Sequence, residues 1–138
     1  MSTPPSLRGK RILVLGGETA LGRALAVGLA EAGAEVAIAS LSPDADAEFA
    51  INSALNELWA MGRRGLALAI DASEEAQVRD AVARAERELG RLDGAAVIAR
   101  DDAVALEALR AALAGRVAVV IPPDTVTDEA MRMVSERV

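Results

Sequence analysis

Continuous apolar runs alternate with amphipathic segments along this chain. Five runs have the length of a strand and are apolar almost throughout, namely 11–16, 35–40, 66–70, 94–99 and 116–122. Strands that are apolar at successive positions are covered on both faces of their sheet. The pattern therefore predicts five buried strands.

A segment with helical periodicity follows the first strand. Leu21, Leu25 and Leu29 recur every four residues, which places them on one face of a helix, and Gly33 is a plausible helix stop. This first helix should pack its leucine face against the sheet.

The segment 42–62 predicts a second helix, with a proline and acidic residues near its start. We expect Phe49, Leu55, Leu58 and Trp59 to form its apolar stripe.

The third helix is predicted over 73–90. Ser73 is expected to cap it, and Val78, Val82, Ala85 and Leu89 should form its buried face.

Two more helices are predicted over 102–115 and 127–138, on either side of the fifth strand. Strict alternation of strands and helices favours a parallel sheet with right-handed crossovers. We therefore expect a doubly wound α/β domain of the Rossmann-like kind, with about five strands and helices on both faces. It should occupy 9–138 as a single domain, after a flexible N-terminal tail over 1–8.

The composition restricts the partners and the chemistry. The 138 residues carry a formal net charge of -6, which disfavours nucleic acid as a partner. There is no Cys and no His, which excludes disulfides, thiol nucleophiles, imidazole bases and the common zinc ligands. No apolar run reaches the ~18 residues of a membrane span, and the N-terminus has no signal-like apolar region. We expect a cytoplasmic protein that is not inserted in a membrane.

The stretch VLGGETALGRAL ends the first strand in a glycine turn that opens a helix. In dinucleotide-binding folds such a turn uses three glycines, for the tight turn, for the approach of the pyrophosphate and for helix packing. Gly16 and Gly22 stand at the outer positions, whereas Ala20 stands at the middle one. The turn either binds phosphates or serves only to reverse the chain.

Glu18 adds a negative charge to this turn, and its carboxylate points either at the approaching anion or outward to solvent. Arg23 either offsets the charge of Glu18 or is a surface arginine.

The turn, the sequence DAS after the third strand and the stretch ERELGRLDGAAVIA together resemble the short-chain dehydrogenase/reductase family over residues 7–99. The resemblance implies NAD or NADP as cofactor. On its T-G-x-x-x-G-x-G motif, Leu15 replaces the threonine. The cofactor-binding positions that the resemblance implies are Gly16, Gly17, Thr19, Ala20, Leu21, Gly22, Ser40, Asp71, Ala72 and Ala99.

Some of these positions have two interpretations. Asp71 matches the family's adenine-binding aspartate, with Ala72 as the backbone contact beside it, or it helps to cap the following helix through Ser73. The position after the second strand, which selects NAD or NADP, holds Ser40 and Leu41, and neither carries a charge.

The family's N-N-A-G motif would fall on 97–100, where only Ala99 is retained. The next two residues, Asp101 and Asp102, either perform acid/base or Mg²⁺ chemistry or, as we favour, cap the fourth helix. We therefore predict no catalytic residue and no metal ligand.

The resemblance also implies a catalytic Tyr, a Lys four residues later and a Ser. The chain has no Tyr, and its only lysine is Lys10. The stretch RVAVVIPPDTVTDEAM either resembles the family's sixth strand and following loop, with Pro122, Pro123 and Thr127 at matching places, or is an ordinary fifth strand.

Three hypotheses follow. The preferred one is a non-catalytic structural or regulatory subunit, a pseudoenzyme that forms a homo-oligomer or a hetero-oligomer with a larger relative. The others are an NAD(P)-binding module and an oxidoreductase completed by a partner. Leu106, Leu109 and Leu113 give the fourth helix a stripe that either forms such an interface or faces its own sheet.

Overall fold

The computed structural model describes residues 6–99 and 103–138, in which strands and helices alternate strictly. The strands are β1 (Arg11–Leu15), β2 (Glu35–Ala39), β3 (Gly65–Leu68), β4 (Gly94–Ile98) and β5 (Val117–Ile121). The helices are α1 (Ala20–Glu31), α2 (Ala45–Ala60), α3 (Glu75–Leu89), α4 (Ala103–Leu113) and α5 (Thr127–Arg137). The α/β prediction is confirmed, and every predicted element is present.

The five strands form one parallel sheet in the order β3-β2-β1-β4-β5. The central strand β1 pairs on both sides, so that Leu13 lies opposite Ala37 of β2 and Ala95 of β4. Its start is also tied to the loop before β4, where the Arg11 N–H donates to Asp93 Oδ2 at 2.8 Å. From β1 the chain adds β2 and β3 on one side of the sheet and then crosses to add β4 and β5 on the other side, so the strand order reverses between β1 and β4. In such folds the crevice at the carboxyl ends of those two strands is the usual ligand site.

Each face of the sheet is covered by a separate aliphatic core. Helices α1, α2 and α5 cover one face, where Leu25, Ile51 and Val134 are buried. Helices α3 and α4 cover the other face, where Val82 and Leu109 are buried. The two cores contain no aromatic side chain, so aliphatic side chains provide the interior packing.

The predicted stripe of α2 is wrong at both aromatic residues. Phe49 is 77% exposed and Trp59 is 58% exposed. The buried residues of this helix are Ala47, Ile51, Ala54, Leu55 and Leu58, which recur at helical spacing. Since successive residues are 100° apart, Phe49 lies nearly opposite Ile51. The smaller aliphatic residues determine which face of α2 packs on the sheet.

The start of α3 also differs from the prediction. Glu74 is at the N-cap position and makes no capping side-chain hydrogen bond, so Ser73 does not cap this helix. Instead the Ser73 hydroxyl donates to Asp71 Oδ1 at 2.6 Å. The predicted apolar face is confirmed, because Val78, Val82, Ala85 and Leu89 are all buried.

The leucine stripe of α4 faces its own sheet. Leu109 and Leu113 are fully buried in the second core, and only Leu106 is partly exposed. Of the two interpretations of this stripe, packing on the sheet therefore accounts for two of its three leucines.

The packed part of the chain includes residues from the predicted tail. Leu7 is buried, and its N–H donates to Ala32 O at 2.8 Å. The remainder of the tail that the prediction covered, residues 1–5, lies outside the described residues. Across 6–99 and 103–138, no helix combines the length and apolar composition that crossing a bilayer requires.

An ion pair joins α3 to the start of β5. Arg116 Nη1 donates to Glu86 Oε2 at 2.7 Å, and the same carboxylate accepts from the Leu92 N–H at 2.9 Å. Burial of Glu86 opposes its ionisation, but the Arg116 guanidinium and the Leu92 N–H outweigh this effect and hold the pKa of Glu86 below its usual 4.5.

This depressed pKa predicts a pH-dependent contribution to stability. The contribution is complete above pH 4.5, the usual glutamate pKa, and is lost as the pH falls through the lower pKa of the folded state. The variant Glu86→Gln should be less stable than the wild type at neutral pH, and this difference in the free energy of unfolding should disappear in acid. Urea unfolding at a series of pH values measures the difference. Glu75→Gln, which alters the exposed pair with Arg79, is the control and should change stability little. A stability difference between the wild type and Glu86→Gln that does not change with pH would contradict the prediction.

The first core predicts the effect of truncating α1. Leu25 is fully buried against the sheet, so Leu25→Ala should lower the free energy of unfolding by about 2–5 kcal/mol. Val104→Ala removes a side chain that is 48% exposed, and it should stay within about 0.5 kcal/mol of the wild type. Urea denaturation followed by far-UV circular dichroism measures both changes. Equal losses of unfolding free energy in the two variants would show that burial of a side chain does not determine the effect of truncating it.

Candidate functional site

The loop between β1 and α1 makes its tight turn at Gly16. This residue has a φ of +106°, and a Cβ there would lie 2.9 Å from Ile98 Cβ on β4. The Gly16 and Gly17 N–H groups both donate to Ala39 O, at 2.9 and 3.1 Å. The loop is therefore held against the ends of both β2 and β4.

Gly17 and Gly22 are required by close packing. A Cβ on Gly17 would lie 2.1 Å from Ile38 Cγ2, and a Cβ on Gly22 would lie 2.0 Å from Gly16 O. Thr19 joins the two ends of this turn, because its Oγ1 accepts from the Gly22 N–H at 2.9 Å and donates to Gly16 O at 2.7 Å. The outer glycines therefore have the structural roles that the motif assigns to them.

The first turn of α1 presents backbone donors. Within the described chain, the Ala20 and Leu21 N–H groups make no hydrogen bond. Ala20 is exposed, whereas the Leu21 side chain is buried in the first core. Free N–H groups and the helix dipole together favour an anion at this position.

Glu18 points neither at this helix end nor outward to solvent. Its carboxylate accepts from the Leu41 N–H at 2.9 Å and from the Ser42 N–H at 3.0 Å, at the carboxyl end of β2. Sequence analysis missed this role, because no local pattern shows that a loop carboxylate will meet donors 23 residues further along the chain. The negative charge is thus held at the β2 end of the crevice.

Arg23 does not pair with Glu18. Its Nε donates to Glu57 Oε1 at 3.1 Å and its Nη1 donates to Ser53 Oγ at 3.0 Å, both on α2. The interpretation as a surface arginine is therefore the better one, and Arg23 links α1 to α2.

Ser40 is fully buried at the end of β2. Its Oγ accepts from the Ile70 N–H at 2.9 Å and donates to Ile70 O at 3.2 Å. The hydroxyl therefore holds β2 to the segment after β3. A direct contact of Ser40 with a cofactor stays a prediction.

Asp71 and Ala72 follow β3 at the same edge. The Asp71 carboxylate accepts from the Ser73 hydroxyl and from the Ser73 N–H at 3.0 Å, and these bonds lower the pKa of Asp71. The Ala72 N–H donates to Leu41 O at 2.9 Å, and Gln77 Oε1 accepts from the Asp71 N–H. Asp71 is partly exposed. Among the described residues its carboxylate bonds only Ser73, which precedes α3, so the predicted capping role is wrong and the adenine contact stays a prediction.

Ala99 follows β4, and its N–H donates to Ile121 O at 3.1 Å. It is partly exposed next to the Gly16 turn, where the preceding residue Ile98 packs. Arg100, the last position of the family motif, and the acidic pair Asp101 and Asp102 lie outside the described residues.

The segment after β5 approaches the glycine loop from the other side. A groove of about 1020 Å³ between α1 and α5 is lined by both Ala20 and Thr127. Pro122 and Pro123, which precede this segment, are exposed. The groove brings together the start of α1 and the threonine that the family resemblance singled out.

The close packing at Gly22 yields a matched prediction within α1. In Gly22→Ala the new methyl group meets the Gly16 carbonyl, which is backbone, so the variant should lose about 1–3 kcal/mol of stability. In Gly28→Ala the methyl group meets only the flexible Met131 Sδ, and helix propensity improves, so stability should change by less than about 1 kcal/mol. Thermal and urea unfolding measure both variants. A Gly22→Ala variant as stable as Gly28→Ala would contradict the packing argument.

Comparisons with known proteins identify the family. A family model described as short chain dehydrogenase matches residues 10–100. L-rhamnose 1-dehydrogenase (NAD(P)(+)) from Sphingomonas sp. (strain SKA58) is 38% identical over 87 residues, which are 63% of this chain and 33% of that enzyme. The chain therefore spans about a third of the length of this curated relative.

Two solved structures extend the comparison. A short-chain type dehydrogenase/reductase from Mycobacterium marinum superposes with a TM-score of 0.66 at 25% identity, over 79% of this chain and 50% of that one. A blue fluorescent protein from a metagenomic library, in complex with NADPH, gives a TM-score of 0.64 at 28% identity, over 77% of this chain and 52% of that one. The strand order, the glycine loop and these matches agree, and the chain belongs to the short-chain dehydrogenase family.

Proposed function

We propose that this chain is a dinucleotide-binding domain that holds NAD or NADP across the carboxyl edge of its sheet. The observation that carries the proposal is the glycine loop, which keeps its closely packed geometry and leaves the Ala20 and Leu21 N–H groups without a partner among residues 6–99 and 103–138. These donors suit the pyrophosphate of a dinucleotide. Family membership and the NADPH complex of a structural relative support the same proposal.

The residues along the edge fit a dinucleotide in order. Asp71 and Ala72 would hold the adenine end, the loop around Gly16 the pyrophosphate, and the segments at Ala99 and Thr127 would border the nicotinamide end. When bound, the nicotinamide supplies hydride transfer. The protein would fix the position of the cofactor, because the Ser40 hydroxyl and the Ala72 N–H bond the end of β2 to the segment that follows β3.

We further propose a preference for NAD over NADP. The NADP ribose carries an additional phosphate, which dinucleotide folds accommodate with a basic residue after β2. Here Leu41 and Ser42 are uncharged, and their N–H groups already bind the Glu18 carboxylate. A second anion at this place would meet the charge of Glu18 and compete for its donors.

Calorimetric titration of the chain with NADH and NADPH tests both proposals. We expect NADH to bind, and NADPH to bind at least about tenfold more weakly, which corresponds to about 1.4 kcal/mol. Asp71→Ala should weaken NADH binding by about tenfold, since it removes the adenine-binding acceptor. Asp80→Ala, which removes an exposed acid on α3, is the matched control and should have no effect.

The outcomes separate the two statements. The absence of heat and of a thermal shift at millimolar NADH would overturn dinucleotide binding. Equal affinities for NADH and NADPH would overturn only the role of Glu18 in selection.

A second candidate is the non-catalytic structural or regulatory subunit. It is supported by the absence of Tyr from the sequence and by a single lysine, Lys10, which precedes β1, because the family resemblance implies a catalytic Tyr–Lys pair. The internal bonds of Ser40 and Glu18 also suit a fold kept for its shape.

Association of the chain with itself or with another protein, without nucleotide binding, would favour this candidate. Nicotinamide-dependent turnover that appears only with a partner protein would favour an oxidoreductase completed by that partner. A cytoplasmic location stays a prediction.

A further inference from the structure

Helix α2 carries a second stripe on its outer side. Phe49, Asn52, Asn56 and Trp59 are all exposed, at successive spacings of three, four and three residues. This spacing places them in one line along the helix, as in the seam of a coiled coil. The inner stripe around Ile51 and Leu58 is already buried against the sheet. Thus α2 has one face packed in its own domain and one aromatic face in water.

The aromatic face contains both aromatic residues of the chain. Phe49 and Trp59 lie ten residues apart, or about 15 Å along the helix. Aromatic residues are enriched at protein–protein interfaces relative to the rest of a protein surface. A partner that covers this face would have to offer apolar groups about 15 Å apart.

The outer stripe is complementary to itself when it is reversed. Positions 49 and 59, and positions 52 and 56, are placed symmetrically about residue 54. In an antiparallel pair of α2 helices, Phe49 would meet Trp59 of the second copy, and Asn52 would meet Asn56 of the second copy. An aromatic pair in an offset or edge-to-face geometry and an amide pair are both favourable contacts.

The charges at the two ends of α2 match the same arrangement. Asp46 and Glu48 lie in the first turn of the helix, and the exposed Arg63 follows its end. The neighbouring charges are used within the domain, because Asp44 caps α2 and Arg64 pairs with Glu35. An antiparallel pair brings the acidic start of one helix to the basic end of the other. A parallel pair would place acids on acids and would be repelled.

A hollow of about 390 Å³ next to the stripe provides further space for the partner. It opens between α2 and α3 at the edge strand β3, and Glu48 and Asn52 form its α2 side. Asn52, three residues after Phe49, is its neighbour on the helix surface. The hollow therefore borders the outer stripe at Asn52.

We propose that the outer face of α2 is a dimer interface that binds a second copy of this chain, with the two α2 helices antiparallel. Phe49 and Trp59 provide the apolar contacts of this two-fold interface, and the charged ends of the helix determine its direction. This interface differs from the α4 stripe that the sequence suggested, because most of that stripe is buried in its own domain.

The test uses sedimentation velocity and the emission of Trp59, the only indole in the chain. As the protein concentration rises, the wild type should form dimers and the emission should shift to shorter wavelength, because pairing removes Trp59 from water. Phe49→Ala should weaken dimerisation by at least about tenfold. Val126→Ala, which truncates a residue that is 70% exposed before α5, is the control and should leave both signals unchanged. Far-UV circular dichroism confirms that each variant is folded.

A charge exchange tests the direction of the helices. Glu48→Arg and Arg63→Glu should each weaken the dimer, and the double variant should regain affinity, because it restores opposite charges across the interface. A double variant as weak as the single ones would overturn the antiparallel arrangement. A monomer with constant Trp59 emission at every concentration, or a dimer that Phe49→Ala leaves unchanged, would overturn self-association and indicate a different partner for this face.

Discussion

The contact between Gly16 and Gly22 determines how the rest of this domain is assembled. The carbonyl of Gly16 occupies the space that a side chain at Gly22 would need, and a side chain at Gly17 would collide with Ile38. Because these three positions carry no Cβ, α1 can begin immediately above the ends of β1 and β2. The same approach sets the position of the N–H groups in the first turn of α1 at the crevice. Fold and candidate site thus depend on the same backbone contact.

The features that the sequence predicts well are those that arise from local periodicity. Apolar runs identify the strands, and the face of α3 follows from Val78, Val82 and Leu89. The predicted stripe of α2 is wrong at its two aromatic residues. Phe49 lies nearly opposite the buried Ile51, whereas Trp59 follows the buried Leu55 by four residues and is exposed all the same.

The candidate site is less accessible to sequence analysis, because its contacts join separate loops. The family motif locates the glycines and Asp71, but it does not show that Glu18 binds the N–H groups of Leu41 and Ser42. Nor does the motif show that the Ser40 hydroxyl hydrogen-bonds the backbone N–H and carbonyl of Ile70. Both contacts span more than twenty residues, and only the packed sheet brings their partners together. They also give the uncharged end of β2 an electrostatic character that its own residues lack.

The pairing of β1 has a consequence for how this chain folds. The central strand has one neighbour, β2, close behind it in sequence, but its other neighbour, β4, lies about eighty residues further on, as the Arg11–Asp93 bond illustrates. Contacts of such long sequence separation form slowly, since the intervening loop must first be ordered. During synthesis β1 therefore emerges from the ribosome long before its second partner exists. Until β4 arrives, an apolar strand edge at the centre of the future sheet is open to pairing with other chains.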